Sequence, residues 1–203
     1  ANADGGGIYS TDGNILHNNG IFGNRASRGA GVCFDLNSYN SPQRLYQATI
    51  VNNEALTDGS GIYSGTNYPA IRNCVVHGNF TDQVGGIPNS GVIRYSNIEG
   101  GFGAPADANI DADPQFVGRV AWGTFTGAEY AAERVQTILT NASASLAAGT
   151  MRNRVIEIGE HYFVAADNTA SQIIVWGDAT EGGTLKYPQA WEINDYHLKP
   201  GSP

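Results

Sequence analysis

The nonapeptide Ile71-Arg72-Asn73-Cys74-Val75-Val76-His77-Gly78-Asn79 (IRNCVVHGN) decides the fold, because the chain repeats its pattern. LHNNGIFGN (16–24), LYQATIVNN (45–53) and IRYSNIEGG (93–101) align with it in columns. The first column holds Leu16, Leu45, Ile71 and Ile93, and the second holds Asn19, Ala48, Cys74 and Ser96. The third is Ile21, Ile50, Val76 and Ile98; the last is Asn24, Asn53, Asn79 and then Gly101. Around each apolar position the residues alternate inward and outward, the period of a strand.

A glycine motif falls between these units: GGGIYS (5–10), GAGVCF (29–34), GSGIYS (59–64) and VGGIPN (84–89). In each a glycine precedes an apolar residue, at Gly7-Ile8, Gly31-Val32, Gly61-Ile62 and Gly86-Ile87, with spacings of 24, 30 and 25. Read alone, GGGIYS resembles a phosphate loop, but no helix follows to supply the N-terminal dipole such a loop uses. Leucine-rich repeats share the period yet need a leucine-dominated core, and leucine is sparse here. Helical repeats need longer units and good helix formers, whereas these units are rich in Gly, Asn and β-branched residues. Each unit therefore reads as one coil of short strands joined by turns, and stacked coils make a parallel β-helix within an all-β chain.

That reading predicts the role of each column. Coils stack at roughly 4.8 Å, so the Ile/Val/Leu columns fill the interior. The Asn column is expected to form a ladder in which each side-chain amide bonds the next. Glycine before the apolar residue is expected to supply a tight bend or a positive φ. Cys33 falls in the column of Tyr9, Tyr63 and Pro88, and Cys74 in that of Asn19, Ala48 and Ser96, so no disulfide is expected between them.

Composition narrows the function classes. Of 203 residues, 11 are Lys or Arg and 19 are Asp or Glu, a net charge of -8 that argues against nucleic acids and anionic membranes. No apolar run approaches the ~20 residues of a membrane span, and no signal peptide is evident. Low charge with abundant Gly, Asn, Ser and Thr suits an extracellular β protein. The chain starts in mid-coil and has no polar cap, which is expected of a segment of a longer protein.

The units GGGIYS…LHNNGIFGN, GSGIYS…IRNCVVHGN and VIRYSNIEGGFG…NIDADPQFV resemble the right-handed parallel β-helix repeats of large bacterial secreted and surface proteins of the choice-of-anchor type. NIDADPQFV (109–117) and DYHLKPGSP (195–203) resemble that family's closing segments, which ordinarily lie close together. The resemblance covers residues 1–117 and 195–203 and implies a pectate-lyase-like fold of about four coils, secreted or at the cell surface. It implies no single activity, since polysaccharide lyases, hydrolases and passive adhesins share the fold. Residues 118–194 lose the repeat and read as an inserted small antiparallel β-barrel or sandwich of about five strands. Residues 195–203 read as a return strand to the β-helix. Within the insert, AEYAAERVQTIL (128–139) has local helical character. NRVIEIG (153–159), EHYFVAAD (160–167), SQIIVWGDAT (171–180) and QAWEIND (189–195) read as strands, with a hairpin turn over 158–161. Tyr162, Trp176 and Trp191 suit either a sugar platform or the module's core.

Three groups of residues stand out chemically. Asp107, Asn109, Asp111 and Asp113 place oxygen ligands at alternate positions, as at the start of an EF-hand loop, which makes Ca²⁺ the one cofactor to weigh. The competing reading is an Asx-turn-rich crossover, because Ala112 and Gly118 stand where such a loop needs Gly and Glu. His77 and Glu99 share an outward column with Phe22 and Val51, a pairing that suits acid–base chemistry or a surface ion pair. His17, Tyr46, Arg72 and Arg94 form a basic-aromatic column suited to a sugar or a carboxylated glycan, or to an ordinary solvated face. Asn79-Phe80-Thr81 and Asn141-Ala142-Ser143 match the glycosylation sequon, the first inside the ladder.

The expectation that follows is a non-catalytic extracellular segment serving as a rigid scaffold, adhesive or glycan-binding surface. Its partners would be a polysaccharide, a host or neighbouring cell surface, or the rest of the parent polypeptide. The alternatives are a polysaccharide lyase or glycoside hydrolase of the β-helix class, and a self-assembling subunit of a surface layer or filament.

Overall fold

In a computed structural model the chain is all-β and divides into two units, 1–114 and 115–202. The structure describes residues 3–11, 13–35, 43–65, 69–87, 92–158, 161–180 and 189–202.

The first unit is built from short strands that recur in each sequence repeat. Repeat one contributes β1 (Ile8–Ser10), β2 (Ile15–His17), β3 (Gly20–Phe22) and β4 (Arg25–Arg28). Repeat two contributes β5 (Val32–Phe34), β6 (Arg44–Tyr46), β7 (Thr49–Val51) and β8 (Glu54–Asp58). Repeat three has β9 (Ile62–Ser64), β10 (Ala70–Arg72) and β11 (Val75–His77); repeat four has β12 (Val84–Gly85), β13 (Ile93–Arg94) and β14 (Asn97–Ile98). Equivalent strands pair in parallel, giving four-stranded sheets β1-β5-β9-β12, β2-β6-β10-β13 and β3-β7-β11-β14, and a small sheet β4-β8.

The register follows the sequence columns. Leu16, Leu45, Ile71 and Ile93 pair in succession, as do Ile21, Ile50, Val76 and Ile98. Leu45, Ile71, Ile93, Ile50 and Val76 have no exposed surface, and with Val32, Phe34 and Ile62 they form one core. Each fully buried side chain of this size contributes roughly 1.5–3 kcal/mol. Corners recur with the strands. Asn18, Gln47, Asn73, Tyr95 and Ala108 all adopt φ of 53–57°, one left-handed residue per turn of chain.

The Asn ladder forms as expected. Asn53 Oδ1 accepts from Asn24 Nδ2 at 2.9 Å and from Asn24 N at 3.0 Å; Asn79 Oδ1 accepts from Asn53 Nδ2 at 2.9 Å and from Asn53 N at 3.0 Å. Each amide also bonds a backbone carbonyl in its own corner, satisfying turn groups that would otherwise be buried without partners. Because Gly101 stands where a fourth rung would be, Gln83 terminates the ladder, its Oε1 2.6 Å from Asn79 Nδ2.

Two expectations about glycine are corrected. Of the four glycines that precede an apolar residue only Gly86 has a positive φ, 67°; in the first three motifs that conformation belongs to Gly5, Gly29 and Gly59, with φ of 76°, 60° and 62°, and not to Gly7, Gly31 and Gly61. The later glycine in each motif answers to close approach. A Cβ on Gly7 would lie 2.8 Å from the Gly31 carbonyl oxygen, and one on Gly61 would lie 2.5 Å from that of Gln83. The fourth repeat is also shifted. Val84 and Gly85 pair with Ile62 and Tyr63, so Gly86-Ile87 does not continue the Gly61-Ile62 column. The cause is a shortened corner: repeat four arrives at its first strand without a counterpart of β4 or β8. Pro88 lies outside the described residues.

Among the described residues the second unit is one antiparallel sheet of seven strands. These are β15 (Phe116–Phe125), β16 (Gly127–Ala131), β17 (Gln136–Thr140), β18 (Val155–Ile158), β19 (His161–Asn168), β20 (Gln172–Trp176) and β21 (Gln189–Leu198). The order is β15-β21-β18-β19-β20-β17-β16, with β15 and β16 at its ends, so about five strands in a barrel or sandwich becomes one seven-stranded sheet. Its core gathers Phe125, Leu139, Ile156, Ile158, Ile173 and Val175. The hairpin expected at 158–161 is present, with Ile158 paired to His161; Gly159 and Glu160 lie outside the described residues.

Residues 128–139 are not helical beyond one 3₁₀ turn at Ala132–Arg134. Pairing of β16 with β17, and of β17 with β20, outweighs the helix propensity of their Ala and Glu residues. Residues 195–198 do not return to the parallel sheets. Asp195 and Leu198 pair antiparallel with Gly118 and Phe116 of β15, so β21 completes the second unit.

Candidate functional site

Parallel register places His17, Tyr46, Arg72 and Arg94 side by side along β2-β6-β10-β13, so this column is assembled as expected. The His17 and Tyr46 rings meet edge to face at 6.1 Å. The two guanidinium groups are committed elsewhere. Arg72 Nη1 donates to the Ile71 and Val92 carbonyls at 2.7 and 2.6 Å, and Arg94 Nε bonds Asp107 Oδ1 at 3.1 Å.

His77 and Glu99 are also neighbours. His77 Nδ1 lies 3.9 Å from Glu99 Oε2, beyond hydrogen-bond reach. That same oxygen accepts from the Gly78 backbone N–H at 2.6 Å and from Gln83 Nε2 at 2.9 Å. Glu99 therefore braces the corner that ends the Asn ladder. It lines a cleft of about 370 Å³ between residues 81–84 and 98–102, whose apolar lining is Val84, Ile98 and Phe102.

The alternating acids at 107–113 form a short additional rung. Tyr95 N–H donates to the Asp107 carbonyl and Ile98 N–H to that of Ile110, and Ile110 bridges Asn97 in parallel. Asp107 is buried, with Oδ1 on Arg94 and Oδ2 accepting from the Ala104 N–H at 3.0 Å. Asn109 Oδ1 accepts from the Ser96 N–H, and its Nδ2 donates to the Ile93 and Phe102 carbonyls. Asp111 and Asp113 lie exposed beyond the rung. Among the described residues no three His, Cys, Asp or Glu converge as metal ligands. With Asn109's oxygen spent on Ser96 and Asp107's on Arg94 and Ala104, the set does not fit the Ca²⁺ arrangement that its spacing suggested.

The face outside β1-β5-β9 holds a cluster that no chemical motif of the sequence singles out. Tyr9, Cys33 and Tyr63 pair in one column, and Asp4, Arg28 and Asp58 precede the left-handed Gly5, Gly29 and Gly59 in another. Arg28 binds both Asp4 carboxylate oxygens, reaches the Tyr63 hydroxyl at 3.0 Å, and stacks 4.8 Å over the Tyr63 ring. Tyr9 donates to the Asp35 carboxylate, which pushes its hydroxyl up to about 12. Asp58 meets Asp82; burial, then that neighbour, raises its carboxyl above the ordinary value. The sequence signal was present as Asp4-Gly5, Arg28-Gly29 and Asp58-Gly59, each at the same offset before the aligned glycine.

Cys33 and Cys74 are both free and buried. Burial pushes each thiol up to about 11, far from a nucleophilic thiolate at neutral pH. Asn79, buried within the ladder, has no amide to offer a glycan. In the second unit Trp176 is 53% exposed on β20, and Tyr162 is half-buried with its hydroxyl raised by burial and by Glu157. The Trp191 side chain lies outside the described residues.

No protein-family model, curated protein or solved structure matches this chain. No helix among the described residues is long and apolar enough to cross a membrane.

Proposed function

We propose that the first unit is a parallel β-helix segment of the kind its repeats resemble, serving as a rigid, non-catalytic scaffold on a secreted or cell-surface protein. The observation that carries this reading is the use of polar side chains. Those suited to chemistry are bound instead to the neighbouring repeat: Asn24, Asn53, Asn79 and Gln83 in the ladder, Glu99 at its end, Asp107 and Asn109 in the last rung. In this reading the antiparallel unit, with Trp176 exposed, is the recognition element for a polysaccharide or a cell surface.

The test is a turnover screen on acidic and neutral polysaccharides, following unsaturated-product absorbance and new reducing ends, beside a glycan array with and without Ca²⁺. The expected result is no turnover, and binding that is unaffected by Ca²⁺ and lost in Trp176→Ala. Turnover abolished by His77→Ala or Glu99→Gln would overturn the reading in favour of a β-helix lyase or hydrolase.

A further inference from the structure

The cleft of about 370 Å³ beside Glu99 lies wholly within the first unit. It stands where one sheet stops short. The sheets ending in β13 and β14 meet the rung at 107–113, through Tyr95 N–H to the Asp107 carbonyl and Ile98 N–H to that of Ile110. Among the described residues no strand continues the sheet that ends in β12, and Val84 of that strand lines the cleft with Ile98 and Phe102. The volume falls within the roughly 300–1,000 Å³ of sites that enclose a small group.

The chemistry of the lining is one-sided. Asp82 and Glu99 belong to it, and among the described lining residues there is no Lys, Arg or His. Both carboxylates are held in place by the chain itself. Asp82 Oδ1 accepts from the Ser60 N–H at 3.1 Å, and Glu99 Oε2 accepts from the Gly78 N–H and from Gln83 Nε2. Glu99 Oε1 accepts from no group among the described residues. His77 Nδ1 stands 3.9 Å from Oε2, outside the lining.

This arrangement selects among guests. Two carboxylates repel an anion, and a purely apolar guest would take water from Glu99 without replacing its hydrogen bonds. An ammonium group on an aliphatic stem answers both sides of the lining. Its N–H groups can donate to Glu99 Oε1 while the stem lies on Val84 and Ile98, and the Phe102 ring favours a cation beside it. One rim is bare as well. A Cβ on Gly100 or Gly101 would meet no atom within 4 Å, which leaves room for a main chain to pass over the cleft. The net charge of -8 favours the approach of a cationic partner.

We propose that the cleft is a docking site for a lysine side chain presented by a partner polypeptide, with Glu99 as its anchor and Asp82 as the second negative charge. Gln83, bonded to both Glu99 and Asn79, ties the occupied cleft to the end of the Asn ladder. The site is separate from the recognition role given to the second unit and does not depend on it.

The test is an amide NMR titration of the whole chain with three probes. These are N-acetyl-lysine methylamide, N-acetyl-norleucine methylamide, which lacks the ammonium group, and n-butylammonium, which lacks the peptide. The lysine amide should shift the Gly78, Gly100 and Gly101 N–H signals saturably. The norleucine amide should bind about tenfold more weakly, the usual size of one lost charge-assisted hydrogen bond. n-Butylammonium should also bind more weakly than the lysine amide, because it makes no contact over the bare rim. Glu99→Gln, whose amide can still accept from Gly78, should weaken the lysine amide about tenfold. Glu54→Gln, on β8 and paired with Arg25 outside the cleft, should leave the affinity unchanged.

Equal binding of the lysine and norleucine amides would overturn the proposal, as would unchanged affinity in Glu99→Gln or shifts that never saturate. n-Butylammonium binding as tightly as the lysine amide would overturn it in favour of a free amine. If Glu99→Gln fails to fold, the three probes on wild type decide alone.

Discussion

Replacing Asn53 by Ala tests the ladder at its most connected rung. The side chain is fully buried and makes five hydrogen bonds, accepting two from Asn24 and donating to the Ile21 and Val51 carbonyls and to Asn79 Oδ1. The substitution strands the Asn24 backbone N–H, at about 1–3 kcal/mol for an unsatisfied buried donor. At roughly 1 kcal/mol net for each of the other four bonds, the expected total is ~5–7 kcal/mol. That is a large part of the ~5–15 kcal/mol available to a domain. Urea denaturation should follow the first unit by far-UV circular dichroism and by exchange of peptides covering 45–55. All three tryptophans lie in the second unit, so their fluorescence reports on that unit separately. Asn14→Ala is the matched control, since exposed Asn14 makes one side-chain bond, to Ser10 Oγ, and should cost under ~1 kcal/mol. Equal effects from the two variants, or a loss below ~1 kcal/mol for Asn53→Ala, would refute the reasoning that the ladder bears the stack.

Other outcomes follow from neighbouring contacts. Gly31→Ala should destabilise by ~3 kcal/mol, because its Cβ meets the Gly61 carbonyl oxygen and lies 2.8 Å from Ile50 Cγ2; Gly127→Ala, with nothing within 4 Å, should stay within ~0.5 kcal/mol in the same thermal-shift series. Arg94→Ala, which takes the cation from buried Asp107, should cost ~1–3 kcal/mol in denaturant titrations, and Asp107→Asn should cost less because an amide can still accept from Ala104. Cys33 and Cys74 should resist an aromatic disulfide reagent at pH ~8 until the protein is unfolded; rapid labelling of both in the native state would contradict their burial and raised affinity for protons.

Where the sequence was legible, two signals agreed. Leu16, Leu45, Ile71 and Ile93 share a residue type and a fixed distance to Ile21, Ile50, Val76 and Ile98, so register and core followed from the columns. Where one signal stood alone, it misled. Gly86-Ile87 matches Gly61-Ile62 as a dipeptide, but the third repeat ends without a corner strand like β4 or β8, and Val84 pairs with Ile62 instead. The acids at 107–113 have calcium-loop spacing, yet they trace a fifth turn of chain whose register is marked by Ala108, a left-handed residue no pattern singles out. Gln83 ends the ladder from outside the Asn column, and β15 is interrupted by Gly118 and Gly123, so neither carries a periodic signature. Of the candidate sites, the Tyr46–Arg72–Arg94 column was legible because parallel register alone assembles it. The Asp58–Asp82 pair was not, because it joins non-equivalent positions of two corners.

The central claim, that repeats pair in parallel in one register with a shifted fourth repeat, is tested most directly by scalar couplings across backbone hydrogen bonds. The account predicts couplings from Ile8 N–H to the Gly31 carbonyl, from Val32 N–H to the Gly61 carbonyl, and from Ile62 N–H to the Gln83 carbonyl. A coupling from Ile62 to Gly86, or antiparallel partners for any of the three, would contradict it.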